Sequence, residues 1–168
     1  LSLGDDLVRV TTVGLPASFY FSIAHHFAAL GWLLAVRAPG ASPWSKALGL
    51  LRVWRIRWTL SRWSRSCPQN FEHRALLVEA EWLRTLGRST RAIRRYEEAV
   101  AAAREYGFDQ DAALASELLA EVHLETGNQK DGLTHLLSAL AGYRAWGAGA
   151  KVKDLQARHA RLLGYPGA

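Results

Sequence analysis

Methionine is absent from this 168-residue chain, cysteine occurs once, and carboxylates are in short supply. A single Cys excludes a disulfide framework and any zinc site built on cysteines. A chain that opens on Leu1 and holds no Met reads as a piece of a longer polypeptide. The 15 acidic residues stand against 21 Lys and Arg, a net charge of +6. The shortfall is local: residues 1–84 hold ten basic and five acidic groups, residues 85–168 eleven and ten. Strand-like alternation is missing outside the short run 7–13, which argues against a β fold. Walker-type, dinucleotide-binding and nucleophile-elbow glycine motifs are missing, as are the kinase signatures, so enzymatic chemistry is not expected within this chain, and no cofactor either. Long apolar runs are nearly missing too. The one stretch of spanning length, 19–36, carries Ser22, His25 and His26 in its interior and follows no basic leader with a cleavage pattern. It reads as a buried core helix, with no membrane partner and a cytoplasmic location.

What is present is 49% hydrophobic residues, enough to bury a core, cut by Pro and Gly into helical lengths. Pro16 and the run Arg37-Ala-Pro-Gly-Ala-Ser-Pro43 bracket a helix over 18–36. A second runs over 43–66 and is ended by Cys67-Pro68. A third spans 71–87, and a fourth takes Ser89 as N-cap and stops at Gly107, a left-handed C-cap. Asp109 or Asp111 caps a fifth that ends at Gly127. A sixth covers 129–146 and a seventh 150–163. About seven helices with short connections predict an all-α fold, an antiparallel helix-pair solenoid.

The second half repeats itself. Leu86-Gly87-Arg-Ser-Thr-Arg-Ala92 through Tyr96 and Ala99 aligns with Thr126-Gly127-Asn-Gln-Lys-Asp-Gly132 through Leu136 and Ala139, forty residues on. Each turn glycine is followed at the fifth position by a very small residue, at the ninth by a large one and at the twelfth by Ala. The Gly reverses the chain, the small residues let antiparallel helices approach, and the large side chain fills their seam. Ala80 and Ala120 supply the small partner on the first helix of each pair. This is the logic of tetratricopeptide (TPR) stacking, although the usual period is about 34. It divides the chain into an N-terminal helical part, 1–66, and two helix pairs with a C-terminal capping helix, 67–168, within one continuous unit.

The run Cys67-Pro-Gln-Asn-Phe-Glu-His73, then Leu76-Leu-Val-Glu-Ala-Glu81, Leu86-Gly-Arg through Tyr96-Glu-Glu-Ala99, and Ala103-Arg-Glu-Tyr-Gly-Phe108 resembles the TPR-like segment of very large bacterial signalling proteins. Tyr143-Arg-Ala-Trp146-Gly and Ala150-Lys-Val extend the likeness toward residue 160. In that family a serine/threonine-kinase-like domain and a predicted AAA-type ATPase precede this segment, and a GAF domain and often a histidine kinase follow it. The resemblance implies a non-catalytic interaction or spacer module in a parent chain that is an ATP-binding protein kinase. Two other placements stay open: a repeat segment of an ATPase-containing transcriptional activator, or a stand-alone peptide-binding adaptor.

Three Trp and five Arg crowd 51–65. On a helical wheel Leu50, Leu51, Trp54 and Trp58 form one apolar stripe and Val53, Ile56, Leu60 and Trp63 another nearly opposite, with Arg52, Arg55 and Arg62 between. Both stripes are expected in packing seams, which disfavours nucleic acid as a partner. His25 and His26 are neighbours, about 100° apart on a helix, and cannot hold one metal; His73, His123, His135 and His159 lack ligand spacing, so no metal is expected. Cys67, before Pro68, reads as a structural thiol. Glu117, Glu121 and Glu125 stack on one helix face. Counting back from the turn glycines puts them, with Leu77, Glu81 and Arg84 of the preceding pair, on the concave side, where an acidic groove would take a basic or neutral peptide or a flanking domain of the same chain.

Overall fold

The computed structural model describes residues 19–164 and contains seven helices and no strand among them. They are α1 (Phe19–Arg37), α2 (Pro43–Ser66), α3 (Pro68–Thr85), α4 (Ser89–Glu105), α5 (Asp109–Glu125), α6 (Gln129–Ala145) and α7 (Gly149–Arg158). The strand-like run 7–13 and Pro16 lie outside the described residues. No described helix is long and apolar enough to cross a membrane.

The helix ends follow from local chemistry. Ser42 caps α2 by accepting from the Ser45 N–H at 3.1 Å, with Pro43 at the first helical position. Cys67, at φ −149°, breaks α2, and Pro68 opens α3 three residues earlier than Phe71, the expected start. A proline there forfeits only an N–H that the first turn leaves unbonded anyway. The next four turns are copies of one another. Gly87, Gly107, Gly127 and Gly147 all have φ between 71° and 81° and stand twenty residues apart. In each, the N–H of the residue after the Gly reaches back to a carbonyl five residues earlier: Arg88 to Leu83, Phe108 to Ala103, Asn128 to His123 and Ala148 to Tyr143, at 2.8–2.9 Å. The same residues then start the following helix, their carbonyls accepting from Ala92, Ala112, Gly132 and Val152. The caps are therefore Arg88 and Phe108, where Ser89 and Asp109 or Asp111 were expected, because this turn leaves a single residue between Gly and helix. The repeating unit is one helix and one turn, and the forty-residue offset is two of them.

Only glycine holds a left-handed φ without cost. Gly107→Ala should lower stability by about 1 kcal/mol in urea denaturation, and Gly107→Asn by less, since Asn tolerates this region better.

The chain resolves into two compact units, Leu1–Arg95 and Tyr96–Ala168. The division falls inside α4, not at 66/67, because α2 and α3 pack directly on each other across that joint. In the first unit α1, α2 and α3 each touch the other two, around Ala28, Leu33, Val53, Ile56, Leu60 and Val78. In the second, α5 packs along α6 and α6 against α7, around Ala120, Leu136, Ala139, Leu140, Tyr143 and Leu155. Helices joined by such short turns and packed on one another run antiparallel.

Two polar residues of α1, Ser22 and His25, have interior hydrogen-bond partners. Ser22 is buried and accepts from Arg74 of α3 at 3.1 Å; Arg74, 1% exposed, is the bulkiest fully buried side chain. His25 donates through Nδ1 to the Phe21 carbonyl at 2.8 Å, and burial depresses its pKa against that bond. Its ring and that of Phe21 lie 5.8 and 5.3 Å from Trp63 of α2. An apolar helix with a built-in binding strip for a buried guanidinium is a core helix of a folded domain.

Candidate functional site

Of the six residues expected to line an acidic groove, five are buried or ion-paired within their own units and Glu125 is exposed. In the first unit Leu77 and Glu81 are buried. Glu81 Oε2 lies 2.6 Å from Arg37 Nη1 of α1, and its Oε1 accepts from Arg84 Nη1 at 3.1 Å. Arg37 also donates to Thr85 Oγ1 at 3.0 Å. Leu77, Glu81 and Arg84 thus fasten α3 into its own unit.

In the second unit Glu117 is 3% exposed, and three side chains from later in the chain converge on it. Tyr143 Oη of α6 donates to Oε2 at 2.7 Å; Lys151 Nζ and Arg158 Nη2 of α7 donate to Oε1 at 2.9 and 2.6 Å. Arg158 also reaches Glu121 at 3.2 Å and Asp154 at 3.0 Å. Burial works to raise the Glu117 pKa, and the hydrogen bonds from Lys151, Arg158 and Tyr143 outweigh it, holding the carboxyl below its ordinary value. Glu125, a turn further on, is exposed. The carboxylates do share a face, and that face is the seat of α7. The residues that reading the sequence missed are Lys151 and Arg158, and a seven-residue spacing between two cations on one helix face was the available signal.

The unclaimed surface is on α2. Its buried stripe is Val53, Ile56 and Leu60, with Trp63 packed between Phe21 and Phe71, as the wheel predicts. Of the opposite stripe only Leu50 packs against the core: Leu51, Trp54 and Trp58 are 56%, 55% and 57% exposed, and Trp44 is 80% exposed. The reason is topological. Because α1 and α3 also touch each other, both cover the same side of α2 and leave its other side bare. The helix carries Lys46, Arg52, Arg55, Arg57, Arg62 and Arg65 and not one carboxylate. Against the expected separation of the α2 tryptophans from its arginines, the Arg62 guanidinium carbon lies 5.3 Å from the Trp58 ring centroid, while Arg52 and Arg57 stack on Trp32 of α1 and Trp82 of α3 at 4.3 and 4.7 Å. Arg57 Nε donates to Glu79 of α3 at 2.7 Å. Lys46, Arg55, Arg62 and Arg65 form no ion pair with any described residue. Beside the stripe a surface cleft of about 450 Å³ is lined by Trp54, Trp58 and Arg65 of α2 and by Glu72 and Glu79 of α3.

No three His, Cys, Asp or Glu side chains cluster to hold a metal among the described residues. His123 and His135, which lack ligand spacing, stack across the α5–α6 seam with centroids 5.4 Å apart; burial and His123 depress the His135 pKa. Cys67 Sγ accepts from Asn70 Nδ2 at 3.2 Å inside the α2–α3 turn. Comparison with protein-family models, with curated proteins and with solved structures returns no match to this chain.

Proposed function

We propose that the chain is a non-catalytic helical-repeat interaction and spacer module of a bacterial cytoplasmic signal-transduction protein, holding ATPase and sensor or kinase domains in register and docking a protein or peptide, or a flanking domain of its own parent chain. One observation carries the reading: a rigid helix, clamped on one side by two neighbours, presents three exposed tryptophans among unpaired cations on the other. Trp and Arg are the residues in which binding energy concentrates at protein interfaces. Helix-turn units that recur every twenty residues also suit a spacer, since repeat arrays build extended surfaces from short local units. The placement among signalling domains rests on the sequence resemblance over 67–160.

Panning the folded chain against displayed random peptides, each about 16 residues or some four helical turns long, tests this directly. Enriched ligands that compete with one another are expected, together with no ATP hydrolysis by clean material. A chain that enriches nothing, or whose ATP turnover a point mutation within it abolishes, overturns the reading.

A further inference from the structure

The exposed stripe of α2 is ordered along the helix axis. Trp44, Lys46, Leu48 and Leu51 occupy its N-terminal half, Trp54, Arg55 and Trp58 the middle, and Arg62 and Arg65 the C-terminal end. From Trp44 to Arg65 it runs for roughly 30 Å, the span of a helix of about 20 residues. We infer that this stripe, with the cleft beside it, is a docking surface for an acidic amphipathic peptide segment, apolar toward one end and carboxylate-rich toward the other. The inference rests on the interaction-module reading and names the partner's chemistry.

Charge complementarity selects this occupant. Lys46, Arg55, Arg62 and Arg65 have no carboxylate partner among the described residues, and α2 supplies none. A partner's Asp and Glu would complete ion pairs whose apolar surroundings the Trp rings already provide. Arg62 is already stacked on Trp58, so its guanidinium edge is held in place to meet a carboxylate. A nucleic acid fits less well, for two reasons. The cleft mixes signs, with Glu72 and the Arg57–Glu79 pair in its lining, and so offers no continuous cationic track for phosphates, whereas a peptide places its carboxylates discretely. Leu48 and Leu51 offer no ring on which a base could stack. A lipid surface would meet the same cations, and the vesicle measurement below separates the two. The sign is the reverse of the one expected from the Glu117 ridge, since those carboxylates are largely neutralised inside the protein and these cations are not.

The test repeats the panning with wild type and two variants, Trp44→Ser/Trp54→Ser/Trp58→Ser and Arg55→Glu/Arg62→Glu/Arg65→Glu, whose substituted side chains are all exposed and whose folding is checked by circular dichroism. Wild type should enrich net-acidic peptides with apolar residues at helical spacing. Each variant should bind those peptides about tenfold or more weakly, as loss of one interface hot spot produces. Added salt should weaken the wild-type complex and leave the charge-reversed variant less affected. A single-stranded DNA oligonucleotide and phosphatidylserine-containing vesicles, followed by tryptophan fluorescence, should bind more weakly than the enriched peptides. Enrichment of basic or neutral peptides, unchanged affinity in both folded variants, or tighter binding of DNA or vesicles overturns this inference and leaves the module reading standing. Enrichment of no peptide at all overturns both.

Discussion

Replacing both Lys151 and Arg158 with Met should destabilise the second unit by about 3 kcal/mol, because it strands a buried carboxylate. Glu117 is shielded from water, while Lys151 and Arg158 are each more than a third exposed. The asymmetry fixes which partner suffers: freed cations would turn into solvent, but the carboxylate has nowhere to go. Tyr143 alone would remain as its donor at 2.7 Å. Adding Glu117→Gln to the double variant should therefore recover a substantial part of the loss. Hydrogen exchange should show α7 released first, since the two cations are its polar link to α5. The pH dependence follows from the depressed pKa of Glu117. Its contribution is complete above the unfolded carboxyl pKa of about 4.3 and disappears as pH falls through the lower folded value. In the double variant only the Tyr143 hydrogen bond opposes burial, so the carboxyl takes up a proton earlier and the gap from wild type should narrow in acid. Equal urea midpoints for wild type and the double variant at neutral pH would show that the cluster contributes nothing.

Gly142→Leu should cost a comparable amount, about 3 kcal/mol, by a different route. A Cβ at Gly142 of α6 would lie 2.9 Å from Ala113 Cβ and 3.5 Å from Ala113 Cα of α5. Ala113 has no flexible end to swing aside, so the two helices must separate. The adjacent Tyr143 would then be drawn from Glu117, coupling this substitution to the first. Gly142→Ala is the informative control. It gains about 0.8–1.0 kcal/mol in helix propensity and loses a similar amount or more to the close contact, so its net effect should be small or modestly unfavourable. Thermal and urea denaturation of both variants check this, and a Gly142→Leu protein as stable as wild type would mean that the seam is looser than its distances.

How much was legible in the sequence differs from element to element. The α2 boundaries were read at the residue, since Ser42-Pro43 and Cys67-Pro68 act through backbone sterics that need no neighbour. The turns at Gly87 and Gly127 were legible for the same reason. The twenty-residue period beneath them was not, because its equivalent positions hold side chains as unlike as Leu83, Ala103, His123 and Tyr143; what recurs there is a carbonyl, which every residue supplies.

The candidate surface was half legible. Six cations without a carboxylate on α2, and two apolar stripes nearly opposite each other, are plain in the sequence, but a helical wheel cannot say which stripe is covered. That depended on α1 and α3 meeting on one side of α2. The Glu117 ridge shows the same limit: helical spacing places three carboxylates on one face, yet what meets that face comes from Lys151 and Arg158, 34 and 41 residues later.

By itself the sequence determined that the chain is helical, where α2 begins and ends, where the glycine turns fall and which residues share a helix face, because those properties are set within a few residues by backbone geometry and side-chain period. Only the tertiary structure decided which faces are buried, which charges are neutralised and therefore which surface is left for a partner. Burial and ion pairing are relations between segments far apart in the chain, and no local pattern contains them.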